Sequence, residues 1–213
     1  MSELTNDKSY WENFYNNSVN IDSPSPFASF LMDEIFPKNI NVLVELGCGN
    51  GRDAKYFAEN GIQVIAIDQC ENTTNKLNQI DNIDSFSHDF TRLPSFSEKK
   101  YQIDVVYSRF TMHSINLQAE ERTIKWVFNN LKLGGIFCIE ARTIKDSLCG
   151  KGINKGNNIW FYNSHHRRFI DANNFKEKLK KNGFKIVYFQ EKNGFAKYKN
   201  EDPIVLRAIV KKV

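Results

Sequence analysis

Three groups of residues in this chain could do chemistry by type and spacing. The first is an acidic residue followed by alternating glycines: Glu45, Gly47, Gly49 and Gly51, then Arg52 and Asp53. Glycine accepts positive φ and leaves the backbone bare, so such a loop lets a ligand touch main-chain N–H groups. The second group is two carboxylates. Asp68 ends the apolar run 63–67 and is followed by Gln69; Asp89 is followed by Phe90. A carboxylate ending the second strand of a doubly wound sheet is placed to take ribose hydroxyls. The third group is a scattered set of cations and imidazoles: Arg109, His113, Arg142, Lys151, His165, His166, Arg167 and Arg168. Arginine forks match carboxylate or phosphate oxygens. A neutral imidazole can accept a proton near its ordinary pKa of about 6.5.

The elements needed to hold these groups can be read from hydrophobic spacing. An apolar, partly β-branched run at 42–44 ends at Glu45, which predicts a strand entering the glycine loop. An amphipathic helix over 52–60 follows, with Gly61 as its cap. A strand at 63–67, a polar helix at 71–78 and a weaker strand at 85–87 come next. The strand at 103–107 carries Ser108, Arg109 and His113 at its carboxyl end. A helix at 119–131, Leu133-Gly134-Gly135 and a strand at 136–141 follow. A helix at 171–182 and strands at 184–191 and 204–211 complete the chain. Strands alternating with helices predict an α/β fold with a mostly parallel sheet. At the other end, Tyr10, Trp11, Phe14 and Tyr15 share one face of a predicted helix over 5–17. A second helix at 24–36 opens with proline. The stretch 143–169 is the least regular, with three glycines, Trp160 and the run His165-His166-Arg167-Arg168-Phe169.

Length and composition bound the answer. A chain of 213 residues with 41% hydrophobic and 25% charged residues suits one globular α/β domain. A net charge of +4 without a dense basic run gives no indication of nucleic acid. The four cysteines form no C-x-x-C pair, and no histidine–cysteine spacing predicts a metal site. The expected setting is a reducing cytoplasm, with no signal peptide and no membrane span. A monomer or a homodimer is expected.

The spacing decides between two nucleotide-binding outlines. A dinucleotide fingerprint needs G-x-G-x-x-G, whose third glycine would fall at position 52, which is Arg52. The spacing here is G-x-G-x-G with an acidic residue two places earlier. It resembles the first motif of class I S-adenosylmethionine (SAM)-dependent methyltransferases, over roughly residues 40–140. That resemblance implies a three-layer Rossmann-like fold whose seven-stranded, mostly parallel sheet ends in an antiparallel strand. It implies SAM as cofactor and S-adenosylhomocysteine as product. It carries SAM binding onto Glu45, Gly47, Gly49, Gly51, Arg52, Asp68, Gln69, Asp89, Phe90 and Ser108, with Asp68 on the ribose and Asp89 at the adenine. Asp89 can also be read as a plain turn cap. In such enzymes an N-terminal aromatic helix often covers the cofactor, which makes 1–38 a helical lid with Trp11 and Tyr15 toward SAM; a core-facing helix is the other reading.

The acceptor side is expected at the carboxyl ends of the fourth and fifth strands. We expect 143–170 to be an insertion over that site. Arg109 and Arg168 are expected to clamp a small anionic acceptor, with His113 or His165 as base, and Arg167 is read as solvated. The [Asn/Asp]-Pro-Pro-[Tyr/Phe] motif of amide and exocyclic amine methylation is replaced by Ser108-Arg109-Phe110-Thr111, so O-methylation is expected. The wider pattern also resembles small bacterial methyltransferases encoded with capsule and surface-polysaccharide genes, which implies a phosphate, phosphoramidate or sugar acceptor. The glycine loop is similar to that of tellurite-resistance enzymes as well, which leaves a thiol- or metalloid-detoxifying enzyme open. A SAM-binding regulatory protein without activity and, more distantly, a nicotinamide-dependent oxidoreductase complete the rivals.

Overall fold

A computed structural model describes residues 10–13, 23–94 and 102–213. Phe14 and Tyr15 lie outside the described residues, as do residues 1–9 and 14–22 of the expected lid. Residues 10–13 are helical. The first long element is α1, Pro26–Phe30, which continues as a π-helical turn over Leu31–Ile35. Ser25 caps it by accepting the N–H of Ala28, and Pro26 opens it, where a missing N–H costs nothing.

Seven strands form one sheet: β1 Val42–Leu46, β2 Gln63–Asp68, β3 Ile83–Ser87, β4 Ile103–Arg109, β5 Leu131–Arg142, β9 Phe184–Lys192 and β10 Val205–Lys212. Their order is β3-β2-β1-β4-β5-β10-β9. β1 to β5 pair in parallel, and β10 is antiparallel to both neighbours, β5 and β9. This is the Rossmann-like methyltransferase fold expected. Helices α2 (Arg52–Glu59), α3 (Glu71–Leu77), α4 (Leu117–Asn130) and α5 (Ala172–Lys181) cover its faces.

Alternation along the strands divides the core into two layers. Leu43, Val105 and Tyr107 pack with Phe27, Leu31, Ala54, Phe57 and Leu77 on one face. Val44, Val106 and Ile139 pack with Ile124, Val127, Phe175 and Leu179 on the other. Burial on both faces explains why these strands read as continuous apolar runs. No helix among the described residues is long and apolar enough to cross a membrane.

Two local features differ from the expectation. The strand expected at 136 begins at Leu131, where α4 runs directly into β5. The pairing of β4 with β5 shifts register between Ile103 and Val105, beside Gly134 and Gly135. The two glycines therefore mark a bulge inside a long strand rather than a loop before a short one. The irregular stretch after β5 is also ordered. It forms a small antiparallel sheet of β6 (Ile153–Asn154), β7 (Ile159–Tyr162) and β8 (His165–Arg168). Asn163 and Ser164 join β7 to β8 with φ of 50° and 64°. Two consecutive positive φ values give the turn twist that a two-residue hairpin needs. A parallel bridge between Ile170 and Thr143 closes the excursion onto the end of β5.

Candidate active site

The glycine loop sits where β1 hands over to α2, and the end of β2 holds its shape. The N–H groups of Gly47 and Cys48 both donate to the Ile67 carbonyl, at 2.8 and 3.0 Å. Asp68 accepts the Gly49 N–H on Oδ2 at 2.8 Å and the Cys70 N–H on Oδ1 at 3.0 Å. Gly47 has φ +74°, and a Cβ there would fall 2.2 Å from Thr111 Cγ2. Thr111 follows β4, so only glycine lets the loop and the β4 end meet this closely. The Phe90 ring edge approaches the same spot.

The end of β1 adds Glu45 to a cluster of carboxylates with Asp53 and Asp68. Glu45 is 4% exposed, and its Oε2 has no hydrogen-bond partner among the described residues. Burial first, then Asp53 and Asp68, holds its carboxyl well above the usual range. An orphaned buried acceptor amid carboxylates fits a cationic ligand group bearing N–H donors. Asp53 is committed to structure. Its carboxylate accepts the Ser25 N–H at 2.7 Å, the Ser25 hydroxyl at 2.8 Å and the Tyr107 hydroxyl at 2.7 Å. That network fastens the start of α1 to the helix behind the loop. The sequence signal was present in Gly51-Arg52-Asp53, but Ser25 and Tyr107 are too distant in sequence to have been paired with it. Arg52 Nε donates to the Ser23 carbonyl at 3.1 Å.

Asp89 serves as the turn cap that was its other reading. Its Oδ1 accepts from the Thr91 N–H and hydroxyl, at 2.9 and 2.8 Å, and Oδ2 lies 3.7 Å from Arg92 Nε. Ser108 is fully buried, with its hydroxyl against that of Thr111. Gln69 is half-buried at the mouth of β2.

Beyond β4 the chain takes a strained turn. Phe110 has φ +58°, an uncommon value for a bulky residue, and strain of this kind gathers at functional sites. Its N–H donates to the Glu140 carbonyl at 2.8 Å, and the Arg109 guanidinium lies 4.5 Å from its ring centre. Arg109 itself pairs with Glu140 at 3.0 Å, and the other oxygen of that fully buried carboxylate takes Arg207 at 2.7 Å. Arg109 is therefore held by Glu140 rather than poised as a free clamp.

The cation expected to face the acceptor does not do so. Arg168 is 4% exposed and donates to the carbonyls of Ile115 and Met112, both at 2.8 Å, and to the buried carboxylate of Glu120, which also binds Lys178. Arg168 pins β8 to the segment after β4. Arg167, expected in solvent, lies on the opposite face of β8 with His165 and donates to His165 Nε2 at 2.7 Å. Tyr10 stacks on the His165 ring at 4.5 Å, and Trp11 leans on it at 5.9 Å. The described part of the N-terminal helix thus meets the insertion, and Trp11 touches His165.

Neither imidazole is arranged as the expected base. His113 Nδ1 accepts the Arg142 N–H at 3.2 Å, which puts the ring proton on Nε2. His165 Nε2 is taken by Arg167, and its Nδ1 lies 3.3 Å from the Asn163 carbonyl. Burial first, then Arg167, Arg142, Arg168 and His165, holds the His113 pKa well below its ordinary value. His113 is thus a neutral Nε2–H donor. A depressed folded pKa gives stability that is complete above the unfolded pKa and drains as pH falls below it. Stability should therefore decline below about pH 6.5, by up to about 1.4 kcal/mol per unit for this one group. Urea denaturation at about pH 7.5 and about pH 5.5 should show a smaller decline in His113→Gln than in the wild type.

Known proteins share this fold. A family model described as a methyltransferase domain matches residues 23–188. No curated protein matches the sequence. Among solved structures, the Burkholderia thailandensis 1,6-didemethyltoxoflavin-N1-methyltransferase, with 1,6-didemethyltoxoflavin and S-adenosylhomocysteine bound, superposes with a TM-score of 0.71 at 16% identity; the match covers 97% of this chain and 84% of that one. A SAM-dependent methyltransferase from Clostridium acetobutylicum ATCC 824 gives 0.67 at 15% identity, over 96% of both chains. A TehB-like SAM-dependent methyltransferase from Corynebacterium glutamicum gives 0.62 at 16% identity, over 99% and 98%. At such identities the superpositions establish the fold. The family match spans well over half of the sequence, and this chain belongs to the methyltransferase domain family.

Proposed function

We propose that the chain transfers a methyl group from SAM to the oxygen of a small anionic acceptor, held at the carboxyl ends of β4 and β5. The observation that carries the cofactor side is Glu45 Oε2, buried without a partner among the described residues beside a loop that Asp68 anchors. Glu45, the loop of Gly47, Gly49 and Gly51, and Arg52 would hold the amino-acid end. Asp68 and Gln69 would take the ribose. Phe90, Ser108 and the second oxygen of Asp89 would border the adenosine, with Trp11 in the lid over it. Bound SAM supplies an electrophilic methyl on a sulfonium, so the protein's task is alignment and the exclusion of water.

The strained Phe110 turn and the β6–β8 sheet would build the acceptor side, residues 143–170 acting as its cover. An acceptor oxygen that is already ionised suits this arrangement, because the described residues around it supply donors and cations. A link to capsule polysaccharide rests on the sequence resemblance alone. Calorimetry with SAM, S-adenosylhomocysteine and NADH tests the reading: the first two should bind and NADH should not. NADH binding without SAM binding would overturn it. Direct displacement also needs no Lewis acid, so methyl transfer should survive extensive chelation. Activity restored only by added Mg²⁺ or Zn²⁺ would refute that part.

A further inference from the structure

We infer that Arg167 and the Nε2–H of His113 form the recognition site for an oxyanion, carboxylate or phosphate, on the methyl acceptor. The inference rests on the methyltransferase reading and assigns its acceptor side. Four elements converge here: His113 in the turn after β4 takes the Arg142 N–H at the end of β5, Arg167 and His165 of β8 bond each other beside them, and Tyr10 stacks on His165.

The cations in this group differ in how they are compensated. Arg142 reaches both oxygens of Asp146 at 3.1 Å and Glu201 at 2.8 Å. Arg109 has Glu140, and Arg168 has Glu120. Arg167 has no carboxylate within ion-pairing distance among the described residues, and the hydrogen bond it does make there goes to His165 Nε2. It is half-buried; burial first, and then the neighbouring Arg142, work against its charge, and Tyr10, Asp146 and Glu201 offset only part of that from a distance. A desolvated guanidinium beside a second cation costs stability unless something anionic completes it. His113 adds a donor fixed in direction, because the Arg142 N–H occupies its Nδ1. A fork and a single N–H donor match the several lone pairs of one oxyanion.

The test uses the protein saturated with S-adenosylhomocysteine, which keeps small anions out of the cofactor site. Inorganic phosphate and acetate are titrated separately and followed by NMR shifts and calorimetry. Phosphate, acetate or both should bind saturably, and the tighter of the two identifies the oxyanion class. Arg167→Gln should weaken that binding at least about tenfold and leave S-adenosylhomocysteine affinity unchanged. Lys155→Gln, an exposed cation of the same insertion, should leave both unchanged. Saturable binding of neither anion, or equal binding to wild type and Arg167→Gln, overturns the inference and leaves the methyltransferase reading standing. Failure of the wild type to bind S-adenosylhomocysteine would instead overturn that reading. Should Arg167→Gln fold poorly, Arg167→Lys keeps the charge and loses the fork, and is expected to weaken binding by a smaller factor.

Discussion

Arg168→Ala should destabilise the protein by about 3–5 kcal/mol, the range for breaking one side of a buried ion pair. The change removes donors from two main-chain carbonyls, those of Ile115 and Met112, and from a carboxylate that is 1% exposed. Lys178 would stay on Glu120, but from a partly exposed position, so it replaces only part of the lost compensation. The folded fraction should still bind S-adenosylhomocysteine within about twofold of the wild type, because none of the hydrogen bonds of Arg168 is to the glycine loop. Urea denaturation measures the loss, and calorimetry measures the affinity. Replacing both partners by apolar residues, Arg168→Met with Glu120→Leu, should recover much of the stability, since no buried charge is then left alone. A loss below about 1 kcal/mol in Arg168→Ala would mean that the pair is not buried in solution.

That result would also separate two arginines that are adjacent in sequence and unlike in role. Side chains alternate along a strand, so His165 must share a face with Arg167 and cannot share one with Arg168. An acceptor site holding both His165 and Arg168 was therefore inconsistent with a strand through the pair, and the hairpin shows it. What hid the hairpin was its turn. Asn163-Ser164 lacks the Asn-Gly signature, although both residues adopt positive φ. The cofactor side was far more legible, because strand, glycine loop and helix are contiguous there and the motif carries its own spacing. Asp68 could be placed from sequence for the same reason. Glu140 and Glu120 could not: each reads as an ordinary charge on a strand end or helix, and only the packing of β10, β8 and α5 against them reveals whom they neutralise. Phe110 gave no signal at all, since a positive φ at phenylalanine is imposed by the surrounding chain and not by the residue.

Asp68→Ala should lower SAM affinity by at least about a hundredfold, the largest effect expected at the cofactor site. Two charge-assisted hydrogen bonds to ribose hydroxyls at roughly 1.5–3 kcal/mol each would already account for that factor. The structure adds a second reason. The same carboxylate accepts the N–H groups of Gly49 and Cys70, so its loss also leaves the middle of the glycine loop without its anchor at β2. Asparagine in its place would be a poor rescue, because an amide presents one acceptor oxygen, and its NH₂ would confront one of those two N–H donors. Asp68→Asn should therefore lose nearly as much affinity as Asp68→Ala. Asp89→Ala provides the contrast. One of its oxygens is committed to capping the Phe90–Arg92 turn, so its loss should cost about fivefold to tenfold, together with about 1 kcal/mol of stability for the cap. Calorimetry on proteins with intact thermal transitions distinguishes these outcomes. If Asp68→Ala binds SAM as the wild type does, the ribose is held elsewhere. If Asp89→Ala proves the more damaging of the two, the adenosine lies nearer β3 than the placement of Asp68 implies.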